Sequence, residues 1–176
     1  MNTRNADGFA LIDVLFVCAI LGIISAIALP RLLLAKQAAG AASAIGSLRT
    51  IHSAELTFAL TCGAGFYAPD LTTLGTPPSN SREAFISPNL ATANSVTRSG
   101  YVIQITGTAY SGSPGSCNGL AAGAATQGYR ATADPTDTGN VRFFGTNVNG
   151  AIWENTSTYN GVMPETGDPA VGFLLR

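Results

Sequence analysis

From Phe9 to Leu29 the chain reads FALIDVLFVCAILGIISAIAL, 21 residues carrying a single charge, Asp13. At about 1.5 Å per residue, a helix over this run would be roughly 31 Å long, enough to cross the hydrocarbon core of a bilayer. Met1 to Gly8 before it are short and polar, with one basic side chain (Arg4) and one acidic (Asp7). Pro30 and Arg31 close the run. Pro30 lacks a backbone donor and crowds the preceding turn, so a kink or local melting is expected there.

Beyond Pro30 the pattern changes. LLLAKQAAGAASAIGSLRTIHSAELTFAL is an Ala-rich helix candidate through about Leu60, in which Gly40 and Gly46 each cost about 1 kcal/mol relative to Ala. Ile45, Leu48, Ile51, Leu56 and Phe58 fall on one arc of its wheel. Lys36, Gln37, Ser43, Ser47, Arg49, Thr50 and Ser53 supply the polar remainder, so this half is amphipathic. Cys62-Gly63 is expected to end it, with the glycine as a left-handed cap. The two halves together predict one continuous helix of roughly fifty residues, apolar all round in its first part and one-sided in its second.

Residues 63–99 read as loop, with Pro69, Pro77, Pro78 and Pro88 among Thr, Ser and Asn, and a short helix at Asp70–Leu74 or Arg82–Phe85. Four strand signals follow: Gly100–Thr106, Gly128–Asp134, Val141–Thr146 and Ala151–Asn155. In the first, Tyr101, Ile103 and Ile105 share a face. Asn149-Gly150 signals a type I′ hairpin between the last two. Residues 107–127 form a long Gly/Ser/Ala loop, and the closing GFLLR is a candidate final edge strand. No internal repeat is present. The expected fold is α+β, the amphipathic half-helix packed on a small antiparallel sheet.

Composition narrows the function. Charged residues are 11% of the chain, against roughly 25% in ordinary soluble proteins. Nine Lys and Arg against ten Asp and Glu leave a net charge of -1, which excludes the basic footprint of a general nucleic-acid binder; no nucleic-acid contact is predicted. At 46% hydrophobic the chain is not an acidic disordered tail. One histidine and three scattered cysteines do not supply the four ligands a structural zinc needs. What remains is an apolar, weakly charged chain suited to a membrane or to many copies of itself.

Asp13 separates the readings of the apolar run. A carboxylate in hydrocarbon costs about 2.5–3.5 kcal/mol on insertion scales and therefore marks a function with a partner. A plain anchor leaves it unexplained. So does a secretory signal cleaved at the A-x-A of Ala26 and Ala28, and a lipoprotein signal at Cys18 is opposed by bulky Val17. The polar leader ending in Gly8, followed by Phe9 and Ala10-Leu11-Ile12-Asp13-Val14-Leu15, resembles the type IV pilin and type II secretion pseudopilin family. The resemblance covers about 25 residues, with Gly22 and Pro30 falling where members commonly carry a helix glycine and proline. Asp13 stands where the family has glutamate, and Asp7 where a basic residue is common.

That resemblance implies a division into leader (1–8), membrane and filament-core half-helix (9–30), amphipathic half-helix (31–62), connecting loop (63–99) and antiparallel sheet with C-terminal loops (100–176). It implies cleavage between Gly8 and Phe9 by a prepilin peptidase and N-methylation of Phe9. It further implies assembly through Asp13, Gly22 and Pro30 into a helical homopolymer, driven by an inner-membrane platform and its ATPase. The subunit would sit in the inner membrane as precursor and then in a surface or periplasm-spanning filament. In the stack, the Asp13 carboxylate of one chain would meet the Phe9 ammonium of its neighbour and so set register. A major pseudopilin of a secretion system is the near alternative. A single-span or secreted β-rich binding domain is the alternative from another class.

The compartment so implied is oxidising, and a Cys62–Cys117 disulfide is expected there, with Cys18 left as a small apolar residue of the membrane helix. No enzymatic activity and no cofactor are expected. Gly115-Ser116-Cys117-Asn118-Gly119 imitates a nucleophile elbow without the strand and helix an elbow needs. Gly63-Ala64-Gly65-Phe66-Tyr67-Ala68 matches a relaxed dinucleotide fingerprint outside any βαβ context. His52 and Glu55, three apart on the helix, read as an acid–base pair or as a polar pair at the helix–sheet seam, and the second suits the absence of companions. Asp134, Asp137 and Asn140 are a loop calcium candidate set against a solvated turn. Asn155-Thr156-Ser157 is a glycosylation sequon by pattern.

Overall fold

The structure, a computed structural model, describes residues 11–175. The chain separates into two units, Met1–Ala38 and Ala39–Arg176. Helix α1 (Leu11–Thr61, 51 residues) belongs to both.

In the first unit every residue from Leu11 to Lys36 is exposed. The melting expected at Pro30 does not occur, and the helix runs through it unbroken. Proline removes one donor, while the Leu, Ile and Ala on either side favour the helix strongly enough to hold the rest of the turn.

The second unit is built on a stripe of α1 that alternates three- and four-residue steps: Ala41, Ala44, Leu48, Ile51, Glu55, Phe58 and then Cys62, all buried. The expected arc is partly corrected. Leu56 faces outward at 38% exposure, and Ser47, expected on the polar side, is buried. The stripe meets a six-stranded antiparallel sheet in chain order, β1 (Ser95–Arg98), β2 (Tyr101–Thr106), β3 (Arg130–Pro135), β4 (Phe143–Asn147), β5 (Trp153–Asn155) and β6 (Phe173–Leu174). Ile103, Ala133 and Phe144 stand side by side across three strands and close the core against Leu48, Ile51 and Phe58. Side chains alternate across a strand, so this register decides which half of each strand is apolar.

The opposite face of the sheet is covered as well, which the sequence did not suggest. Tyr159 and Met163, both buried, lie over Gly145, where a Cβ would approach the Tyr159 ring to 3.0 Å. Tyr159 donates its hydroxyl to Val171 O at 3.1 Å, and Asn147 Nδ2 donates to Pro164 O and Gly167 O. The C-terminal segment is thus a third layer.

Three local expectations change. The two-residue left-handed hairpin turn is Ser99-Gly100 (φ 51° and 80°), joining Arg98 to Tyr101. At Asn149-Gly150 only the glycine has positive φ, because the Asn147 side chain accepts from Asn149 N and the strands rejoin only at Gly145 and Trp153. The helix cap is also displaced. Cys62 N and Gly63 N both donate to Phe58 O, and the left-handed residues are Ala64 and Gly65. In the 63–99 region, α2 forms at Leu71–Leu74 with Asp70 accepting from Thr73 N, whereas Arg82–Phe85 is not helical. A 3₁₀ turn (Pro88–Leu90) and strand β1 complete a stretch expected to be loop.

Candidate functional site

Two features carry chemistry, one in each unit. The first is the N-terminal half of α1. Leu11, Ile12, Val14, Leu15, Phe16 and Val17 are half or more exposed or nearly so, and the apolar surface continues through Leu34. The helix is long and apolar enough to cross a membrane. Asp13 lies in its first turn, where the helix dipole favours a carboxylate. Among the described residues Asp13 has no ion-pair partner. A Cβ built on Gly22 meets nothing within 4 Å, so contacts inside this chain do not require glycine there. Pro30 is internal to the helix, and Cys18 is a free, exposed thiol. Gly8 and Phe9, the expected processing residues, lie outside the described residues.

The second is a buried polar seam in the domain. His52 Nδ1 and the Tyr129 hydroxyl are hydrogen-bonded at 2.7 Å, and Glu55 Oε2 accepts from Ala68 N at 2.9 Å. No hydrogen bond joins His52 to Glu55; each reaches a different segment from neighbouring turns of α1. Gly150 makes room for the imidazole, since a Cβ there would come within 2.5 Å of His52 Nε2. Burial holds His52 below the ordinary imidazole range. Glu55 is 0% exposed, and its Oε1 has no hydrogen-bond partner among the described residues. Burial pushes its carboxyl up to about 8, the Ala68 amide opposes that shift, and the Asp70 carboxylate adds to it. The Tyr129 phenol is raised too, first by burial and then by Glu55 and Tyr67. The sequence signal was available: Glu55 occupies a position of the apolar stripe.

Cys62 and Cys117 are disulfide-bonded, Cα atoms 4.9 Å apart, which ties the end of α1 to the 107–127 loop and removes the thiol from the elbow-like motif. Asn118 Nδ2 donates to Thr73 O and Thr76 O, so this loop also closes the end of α2. The calcium candidates are engaged within the chain. Asp134 Oδ2 accepts from Thr158, Asp137 Oδ1 from Gly139 N, and Asn140 spans Tyr101 and Arg142 N. Among the described residues no group of three or more His, Cys, Asp or Glu is placed to hold a metal. Asn155 of the sequon bonds its own neighbours, donating to Ser157 Oγ and accepting from Thr156 N.

No protein-family model, no curated protein and no solved structure matches the chain.

Proposed function

We propose that the chain is a structural subunit of a type IV pilus-like filament, trimmed after Gly8 and assembled through its apolar half-helix. The observation that carries this reading is the exposed apolar helix of the first unit with a lone carboxylate in its first turn. Burying that surface gains about 25 cal/mol per Å² whether the cover is lipid or other copies of the same helix, so passage from one to the other is not strongly opposed. Asp13 is the element that tells the two apart. In lipid it is a cost; in a helical stack it faces a neighbour's amine, and a subunit out of register leaves both charges unpaired. The weak charge of the chain and its α+β domain fit a subunit packed among copies of itself.

The test is the N-terminal peptide mass of protein recovered from its native envelope. A chain beginning at Phe9, with or without one added methyl, is the expected result. A start at Leu29 would mean an ordinary secreted domain and an intact Met1 a simple anchor, and either overturns the filament.

A further inference from the structure

The stripe by which α1 enters the core is apolar at every buried step but one. Ala41, Ala44, Leu48, Ile51 and Phe58 bury hydrocarbon, and Glu55 buries a carboxyl group. It sits where α1 passes under the chain that returns from its own C-terminus, and its one partner is the Ala68 amide of that returning segment. The titratable groups coupled to it are Asp70 on the returning segment and Tyr129 beside β3, and His52 and Tyr67 both lie against Tyr129. None is a free cation. His52 is spoken for by Tyr129, and the one salt bridge among the described residues is Arg142–Glu154. A charge placed on Glu55 would therefore be buried, unpaired and close to another carboxylate, which folded proteins avoid by keeping the proton or by opening. With Oε2 accepting from Ala68, the proton belongs on Oε1.

We propose that Glu55 is a proton-operated latch: its neutral acid holds the Phe66–Asp70 segment on α1, and loss of the proton lets water in and the segment lift. The lifted segment stays attached at both sides. The Cys62–Cys117 bridge tethers its start, and Tyr67 exchanges two backbone hydrogen bonds with Thr126 of the long loop (2.9 and 3.0 Å). The Phe66 ring, stacked on Tyr110 with centroids 5.7 Å apart, travels with that pair. The direction follows from the titration. The closed state binds the proton more tightly than the open one, so closure is strongest in acid and weakens as pH rises from the ordinary carboxylate range toward about 8. His52 acts in the opposite sense at lower pH, because burial disfavours its charged form. Above the ordinary imidazole range His52 is neutral on both sides, and Glu55 acts alone there.

The test is amide hydrogen exchange of the full chain in detergent micelles between about pH 7 and 8, corrected for intrinsic exchange, in wild type and in Glu55→Gln. In wild type the protection of the Ala68 amide should fall about fivefold per pH unit, while that of Ala131 and Ala133 in β3 holds constant; in Glu55→Gln the Ala68 slope should vanish. A flat profile at Ala68 in wild type, the same slope in the glutamine variant, or an equal slope throughout β3 overturns the latch. Should Glu55→Gln fail to fold, the side-chain carboxyl carbon of Glu55 followed by NMR in wild type decides. Titration well above the ordinary carboxylate range, together with the Ala68 slope, supports it, and titration in that range overturns it.

Discussion

Gly40 and Gly46 look alike in the sequence, two glycines in an Ala-rich helix, each a propensity loss. Their surroundings differ. A Cβ on Gly40 would lie 2.7 Å from Ser99 O and 3.5 Å from the Tyr101 ring, so helix and β1–β2 turn meet there at backbone distance. A Cβ on Gly46 meets nothing within 4 Å. Gly46→Ala should stabilise the domain by about 0.5–1 kcal/mol, through propensity alone. Gly40→Val should destabilise it by about 1–3 kcal/mol, because the turn has to move away. Denaturant unfolding of the two variants beside wild type checks both, and equal shifts would contradict the close approach. Which glycine is a spacer and which a cost was not legible in the chain, since the deciding atom belongs to a residue far along it.

At the level of elements, the helix and the central strands were legible because their signals are internal. Tyr101, Ile103 and Ile105 alternate with Val102, Gln104 and Thr106, and the strand buries just that face. Strand β1 was not, because Val96 is its only buried residue and its place depends on the Ser99-Gly100 turn and on pairing with β2. The outer layer was hidden for a similar reason: nothing around Tyr159 and Met163 announces a strand, and only Gly145 across the chain explains why they are buried. The disulfide belongs to this scale too, since it joins a helix end to a loop 55 residues on. Closing a loop of that length constrains the unfolded chain by about 4 kcal/mol in the entropy model. Replacing Cys62 and Cys117 together with serine should lower unfolding stability by 2–4 kcal/mol at about neutral pH, read as a shift in denaturant midpoint. Adding reductant to wild type should reproduce that shift, and no shift in either would mean the bridge constrains little.

For the molecule as a whole, the functional reading depends on a short stretch around residues 8 to 30 and hardly at all on the domain. The domain by itself names no activity; its acid was legible as part of a polar pair at the seam, but its separation from His52 and its Ala68 partner were not. The filament reading makes Asp13 the residue to change. Asp13→Ala should leave membrane insertion intact, since it removes a cost of about 2.5–3.5 kcal/mol, and should abolish fibres. Fibres sheared from cells and counted by electron microscopy check the second part, and membrane fractionation the first. Normal fibres from that variant would sink the role given to the carboxylate. Asp13→Glu should retain fibres, because it keeps the charge and lengthens the side chain by one methylene.

The order of the sheet, β1 through β6 in the order of the chain, has a bearing on how the domain is made. Each strand's partner is already present when the strand itself appears, so pairing can follow synthesis residue by residue, without waiting for a distant segment. Such local pairing is the kinetically fast way to build an antiparallel sheet. The last step is different in kind. A chain halted after Asn155 has five strands available but neither β6 nor the Tyr159–Met163 cover, and the Gly145 face is then open to whatever is nearby. Arrival of residues 159–174 is therefore the moment at which the sheet becomes covered on both faces, and a chain halted before them is the form most exposed to sticking or to proteolysis.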